Sequence, residues 1–246
     1  MKAMKNTEAL SYSVIVPAYN EEKLLPRCLE ALKAAMAAVS ANGEVIVVDN
    51  NSTDRTAGIA RNWGAKVVFE PFNQISRARN AGARQASGKW LVFLDADTFL
   101  SGELLEIILG KQASGRCCGG GVVIDMDRRL DAINRSLLGL WTWISRRFRL
   151  AAGCLVFCPA EGWRSVGGFS EKVYASEEIW FSIALGAWGA SRGMRFIIVD
   201  KPRILTSGRK TGNTLNILIT VLTIMLFPFA IRFRSLSWFW YHRDRD

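Results

Sequence analysis

Three places in this 246-residue chain carry acidic side chains at spacings that can do chemistry. Asp95 and Asp97 flank Ala96 directly after the apolar run 90–94. In an extended chain alternate residues point to one side, so both carboxylates can face one cation. Hard divalent ions such as Mg2+ or Mn2+ take carboxylate oxygens and keep positions for water and phosphate. A cation held there can neutralise charge developing on a departing diphosphate. Asp49 closes a second apolar run, 44–48. A carboxylate there can accept hydrogen bonds from a base N–H or a ribose hydroxyl. Glu177 and Glu178 follow Ser176 at the start of a helical stretch. A helix N-terminus favours the charged form of a carboxylate, which suits a general base. A second aspartate pair, Asp125 and Asp127, runs into Arg128 and Arg129, which can pair with it or leave it a solvated turn.

The elements that must position these acids read as alternating strands and helices. Residues 11–16 form a buried apolar strand that Pro17 stops. Residues 21–40 have helical spacing and end at Asn42-Gly43. The run 44–48 is a second strand, and the polar turn 50–54 leads into a helix that reaches Trp63. Residues 66–69 are a third strand, 73–87 a helix closed by Gly88, and 90–94 a fourth strand. Continuous apolar strands alternating with helices predict a parallel sheet covered on both faces. Ligands of such sheets bind beyond the carboxyl ends of the strands, where the clusters 17–22, 49–54 and 95–97 fall. The first of these turns, 17–21, has no glycine, and neither GxGxxG nor a P-loop occurs. Tyr19 offers a ring face for a base or for packing. The second half is less regular. Gly119, Gly120 and Gly121 read as a flexible turn into a strand, 155–157 and 195–199 as further strands, and 135–150 and 176–190 as helices. In these helices Leu137, Trp141, Ile144 and Phe148 share one face, and Ile179, Ile183 and Ala187 another.

Half of the residues are hydrophobic, 22% are charged and the formal net charge is +10, so the chain folds and favours anionic partners. The acidic clusters within a basic chain count against a nucleic-acid binder. Five cysteines, an odd number without metal-binding spacing, read as buried thiols of a reducing compartment. Residues 1–10 are expected to be disordered. They hold lysines without an apolar core, so no signal peptide is expected and the catalytic part is placed in the cytoplasm. The apolar run 217–231 holds Pro228, is flanked by basic residues and precedes the aromatic cluster 238–241. It is shorter than the roughly 20 residues of a spanning helix, so a tilted or shallow helix at the inner face of the membrane, or a buried C-terminal helix, is expected. The basic and aromatic stretch 135–150 fits a surface-lying helix that can bring the enzyme to a lipid-linked acceptor.

Four ordered stretches carry a resemblance: SVIVPAYNEEKLLPRCLEAL, VIVVDNNSTDRT, ARNAGARQASGKWLVFLDADT and VGGFSEKVYASEEIWFSIAL. Together they resemble the family 2 glycosyltransferases, which have a GT-A fold. The resemblance implies an α/β domain over 11–210 with a mostly parallel central sheet, followed by the C-terminal apolar segment 211–246. It implies an inverting transfer from a nucleoside-diphosphate-sugar donor to a hydroxyl acceptor, with Mg2+ or Mn2+. Pro17, Ala18, Tyr19 and Glu21 would line the nucleotide pocket and Asp49 would contact the base or ribose. Asp95 and Asp97 would form the DxD motif, with Asp97 the direct metal ligand. Glu178 falls where the family places its base, and a glutamate in place of the usual aspartate leaves Glu177 as the alternative. Arg209 and Lys210 would hold the diphosphate, or else flank the apolar segment. Two rivals stand beside this reading: a sugar nucleotidyltransferase, and a non-catalytic membrane-associated scaffold.

Overall fold

The apolar run that follows Ser11 forms β1 (Tyr12–Ala18), and every residue in it is buried. The structure, a computed structural model, describes residues 11–208. The disorder expected for 1–10, the segment 211–246 and the pair Arg209 and Lys210 lie outside the described residues. β1 pairs in parallel with β2 (Gly43–Asp49) on one side and β4 (Trp90–Leu94) on the other, and β2 pairs in parallel with β3 (Lys66–Phe69). Between them run α1 (Leu25–Ala37), α2 (Thr56–Trp63) and α3 (Ile75–Arg84). Pro17 does not stop β1. Pairing with β4 ends at Ile15, so the missing N–H of Pro17 costs that neighbour nothing.

The second half departs from the expected parallel sheet. β5 (Thr98–Phe99), α4 (Gly102–Ala113), β6 (Cys117–Met126), α5 (Ala132–Phe148), β7 (Leu155–Pro159), α6 (Ala160–Val166), α7 (Glu177–Ala190) and β8 (Arg195–Thr206) complete the order. The eight-stranded sheet runs β3-β2-β1-β4-β7-β6-β8-β5. β7 is antiparallel to both β4 and β6, and β5 is antiparallel to β8, so the sheet is mixed. Gly120 and Gly121 are not a turn but lie inside β6, paired with β7. A Cβ on Gly120 would come within 2.5 Å of the Phe157 ring and of the Ile197 carbonyl. Glycine there is what lets the two neighbouring strands close in.

Alternate residues of the central strands feed two cores. Val14, Val16, Val45 and Val47 pack with α1 and α4, and Ile15, Ile46 and Val48 pack with α3, α6 and α7. This two-sided burial explains why these strands read as unbroken apolar runs. The face of α7 shared by Ile179, Ile183 and Ala187 is not the buried one. Phe181, Leu185 and Gly189 are buried, whereas Ile183 is 52% exposed and Ala187 also faces out. The helix is apolar on nearly all sides, so spacing alone does not pick the inner face. Phe181 decides it, stacking on Phe169 at 4.0 Å and meeting Phe93 of β4 edge-on at 6.3 Å.

Candidate active site

The loops that leave β1 and β2 are tied to each other before they meet anything else. Asn20 Oδ1 accepts from Thr53 N at 2.8 Å, and Asn20 N donates to Ser52 Oγ at 3.1 Å. Glu21 N donates to Thr56 Oγ1 at 2.8 Å and Glu22 N to Asp54 Oδ2 at 3.1 Å. Pro17, Ala18, Tyr19 and Glu21 therefore sit in one cross-linked rim with Asp49. Ala18, Glu21 and Asp49 are buried. Asp49 Oδ1 accepts from Ser52 N at 3.0 Å, which shapes the turn after β2. β1 lies between β2 and β4, so this rim shares the carboxyl edge of the sheet with Asp95 and Asp97.

Asp95, Ala96 and Asp97 form a tight turn rather than an extended segment, with Thr98 N donating to Asp95 O at 3.1 Å. Strand alternation therefore does not set their directions. Asp95 is tied to α3: Arg79 Nη2 lies 3.1 Å from its Oδ1. The same guanidinium donates through Nη1 to Glu177 Oε1 at 2.6 Å and through Nη2 to the Gly153 carbonyl at 2.6 Å. Arg79 is 1% exposed and Glu177 4%. One buried cation thus joins the turn after β4 to the first residue of α7. Asp97 follows a different path. Its carbonyl accepts from Ser207 N at 2.9 Å, fastening the turn to the end of β8. Beneath the turn, Cys28 Sγ donates to Asp95 O at 3.8 Å, and burial, with Asp97 nearby, pushes that thiol up to about 12. All five cysteines are free and buried, as expected.

Glu178 is half-buried beside this network. A Cβ placed on Gly153 would lie 3.6 Å from the Glu178 carboxyl carbon and 3.5 Å from Arg79 Nη2. Among the described residues Glu178 forms no salt bridge. Burial first, then the charge of Glu177, push its carboxyl up to about 8. This reverses the expectation from the helix N-terminus. The backbone does favour the charged form, but removal from water outweighs it. Burial also raises Glu177, against the pull of Arg79.

Arg79 was not singled out by sequence reasoning, although a signal exists. Ser76, Arg79, Asn80 and Ala83 recur at helical spacing on the buried face of α3, so the polar face of that helix is the inner one. The second aspartate pair accepts from backbone N–H groups. Asp125 Oδ1 accepts from Met126 N, and Asp127 Oδ1 accepts from Gly208 N at 2.8 Å.

Among the described residues no group of three or more His, Cys, Asp or Glu is arranged to hold a metal. Two carboxylates in one turn still suit Mg2+ or Mn2+, which is commonly held by one or two carboxylates together with substrate phosphates. Asp95 Oδ1 carries the Arg79 ion pair, and Asp97 Oδ1 accepts from Thr98 Oγ1 at 3.5 Å.

The comparisons agree with this architecture. The chain is 33% identical over 139 residues to an uncharacterised glycosyltransferase of Mycobacterium bovis, covering 54% of each. It is 41% identical over 111 residues to a 4,4'-diaponeurosporenoate glycosyltransferase of Staphylococcus haemolyticus, covering 42% of this chain and 28% of that one. The chain thus spans about half the length, or less, of these curated relatives. Among solved structures, the mannosyltransferase PcManGT of Pyrobaculum calidifontis, in complex with GDP-Man and Mn2+, superposes with a TM-score of 0.68. That match has 23% identity and covers 92% of this chain and 66% of that one. TarS 1-349 of S. aureus, in complex with UDP-GlcNAc, gives 0.62 at 20% identity, covering 81% and 59%. At these identities the likeness establishes the GT-A-type fold. The model of glycosyl transferase family 2 matches residues 13–160, from β1 into the start of α6, with Glu177 and Glu178 beyond its end. With more than half of the chain matched and the aspartate turn inside the match, the protein belongs to glycosyl transferase family 2.

Proposed function

We propose that this glycosyltransferase moves a sugar, with inversion, from a nucleoside-diphosphate donor to an acceptor hydroxyl, using Glu178 as base. The observation that carries the reading is Arg79, which holds Asp95 of the DxD turn and Glu177 of α7 on one guanidinium. Glu178 is thereby kept next to the turn that would face the donor diphosphate. The relatives named for GDP-Man and UDP-GlcNAc complexes support a nucleotide-sugar as the donor class. Pro17, Ala18, Tyr19 and Glu21 form one wall of the nucleotide pocket, and Asp49 meets the base or ribose. Asp97, with Asp95, would hold Mg2+ or Mn2+, which supplies positive charge beside the diphosphate when bound. Arg209 and Lys210 would add to that charge.

Glu178 accepts the proton of the acceptor hydroxyl. The oxygen then forms its bond to the anomeric carbon from the face opposite the diphosphate, and the carbon–oxygen bond to the diphosphate breaks. A carboxyl held up to about 8 is a stronger proton acceptor than an ordinary glutamate once ionised. The decisive experiment measures sugar transfer by Asp97→Ala and Glu178→Gln across a panel of nucleotide-sugars. Each variant is expected to lose at least about a hundredfold in kcat. Near wild-type transfer by both would overturn the site.

The enzyme is further proposed to work at the cytoplasmic face of a membrane. No helix among the described residues is long and apolar enough to cross one. On α5, Ile133, Leu140, Trp143 and Phe148 are each more than half exposed beside Arg146 and Arg147, which suits a helix lying on an anionic surface. Co-sedimentation of the full chain with anionic vesicles, reversed by salt, is expected. Absence of co-sedimentation at low salt would remove this part of the reading.

A further inference from the structure

Beyond the donor site, the end of β6, the first turns of α5 and the middle of β8 enclose a trough of about 620 Å³. Four arginines wall it: Arg128, Arg129, Arg135 and Arg203. None of them forms a salt bridge among the described residues, although Asp125 and Asp127 stand close by. Those two carboxylates instead accept from the backbone N–H groups of Met126 and Gly208. Four arginines thus share the lining with one carboxylate, Asp125, and the positive excess is complementary to a phosphate. Asp125 and Thr142 also line the trough, and the remaining lining includes the apolar Ile124, Met126, Leu130 and Leu138. A free phosphate would leave that surface in water, whereas a phosphate on an apolar chain would cover it.

The trough lies beside the turn that holds Asp97. Thr98, the next residue, pairs with Thr206 of β8, and Thr206 pairs with Met126 of β6. Two strand spacings, about 10 Å, therefore separate Thr98 from a residue lining the trough. A second link runs through Gly208. Its neighbour Ser207 donates to Asp97 O, and a Cβ on Gly208 would touch Arg128 Cγ at 2.6 Å, so Arg128 packs directly on that glycine. The register shift between β6 and β8, across Val122 to Ile124, leaves residues 200–203 out of the ladder and carries Arg203 to the trough wall.

We propose that this trough is the acceptor subsite, and that it takes an acceptor carrying a phosphate on an apolar chain. The proposal rests on the glycosyltransferase reading and deepens it by naming the acceptor class. The arginines bind the phosphate, the apolar floor takes the start of the chain, and the acceptor hydroxyl is left toward the Asp97 turn.

The test uses the full chain and measures binding of farnesyl phosphate, farnesol and inorganic phosphate. Donor binding is measured separately with a panel of nucleotide-sugars and Mn2+. Farnesyl phosphate is expected to bind in a salt-sensitive way and at least about tenfold more tightly than either control, since charge-assisted hydrogen bonds supply that difference. Arg129→Gln and Arg203→Gln, both at exposed positions, are each expected to weaken it about tenfold while leaving donor binding unchanged. Arg61→Gln on α2, which removes the same net charge elsewhere, is expected to leave farnesyl phosphate binding as in the wild type. Equal binding of farnesol, or retention of farnesyl phosphate by both trough variants, would overturn the proposal. So would inorganic phosphate binding as tightly as farnesyl phosphate, because it would leave the apolar floor without a role. Failure of every nucleotide-sugar to bind would instead overturn the transferase reading, so the two failures are separable.

Discussion

At the scale of single residues, one arginine sets Glu177 and Glu178 apart. Glu177 is ion-paired to Arg79, while Glu178 stands beside the pair with its carboxyl raised to about 8 by burial and by Glu177. The base proposed for transfer acts in its ionised form, so kcat is expected to fall as pH drops through about 8. Glu177→Gln removes the second-largest upward influence on Glu178. The acidic limb of the kcat profile is expected to move to lower pH, and a limb that stays in place would exclude the coupling. Stability follows the same sign. The folded chain holds the Glu178 proton more tightly than an unfolded chain, whose carboxyl has the ordinary value of 4.5. Its contribution is full below that value and is lost as pH rises toward about 8. Glu178→Gln should flatten this part of the stability profile in urea unfolding. The carboxylates themselves were legible from their types and from their places at strand and helix ends. Arg79 was not, because a charged residue at helical spacing reads equally as part of a solvated face.

At the scale of elements, α3 acts as a clamp on the loop that delivers α7. Asn80 Nδ2 donates to Phe169 O at 2.9 Å and Asn80 Oδ1 accepts from Phe169 N at 2.9 Å. Gln74 Nε2 donates to the carbonyls of Glu171 and Val173, each at 2.9 Å. Gly168, at φ +75°, lies so close that a Cβ would meet Asn80 Oδ1 at 2.5 Å. This clamp brings Phe169 onto Phe93 and Phe181, and so sets the rotation of α7 and the burial of Glu177. Asn80→Ala strips both backbone partners of Phe169 inside the core and should cost about 3 kcal/mol in urea unfolding. Arg84→Ala removes an exposed ion pair with Glu171 and should cost less than about 1 kcal/mol. Equal losses from the two would mean that the clamp does not act through buried groups. The rotation of α7 was not legible, since the long-range pairing of Asn80 with Phe169 decides it and the helix itself is apolar on most sides. The same limit hid β5, which is two residues long and exists only through its pairing with β8.

At the scale of the whole molecule, the sheet changes character at β4. The first half, β3-β2-β1-β4, is parallel and was readable because β1, β2 and β4 are mostly buried and carry long apolar runs. Beyond it β7 runs antiparallel, and its partner β6 contains three glycines that only the packed structure explains. The proposed roles divide at the same place: the parallel half carries the rim proposed for the nucleotide, and the mixed half carries α7 and the arginine trough. The Asp95–Asp97 turn lies on the seam, held by Arg79 from one side and by Ser207 from the other. A donor that binds on this seam stabilises both halves at once, and a ligand specific to the folded chain raises apparent stability by mass action. At a hundredfold excess over Kd the gain is about 2.7 kcal/mol, which for a domain of this size raises Tm by about 5–10 °C. The cognate nucleotide-sugar with Mn2+ is therefore expected to give a shift of that size in a thermal-shift screen, and less without the metal. Asp97→Ala should abolish the metal-dependent part and keep the remainder, because the rim around Asp49 is untouched. A shift that is identical with and without Mn2+ in the wild-type chain would argue that Asp97 serves the fold, through Ser207 and β8, and not the metal.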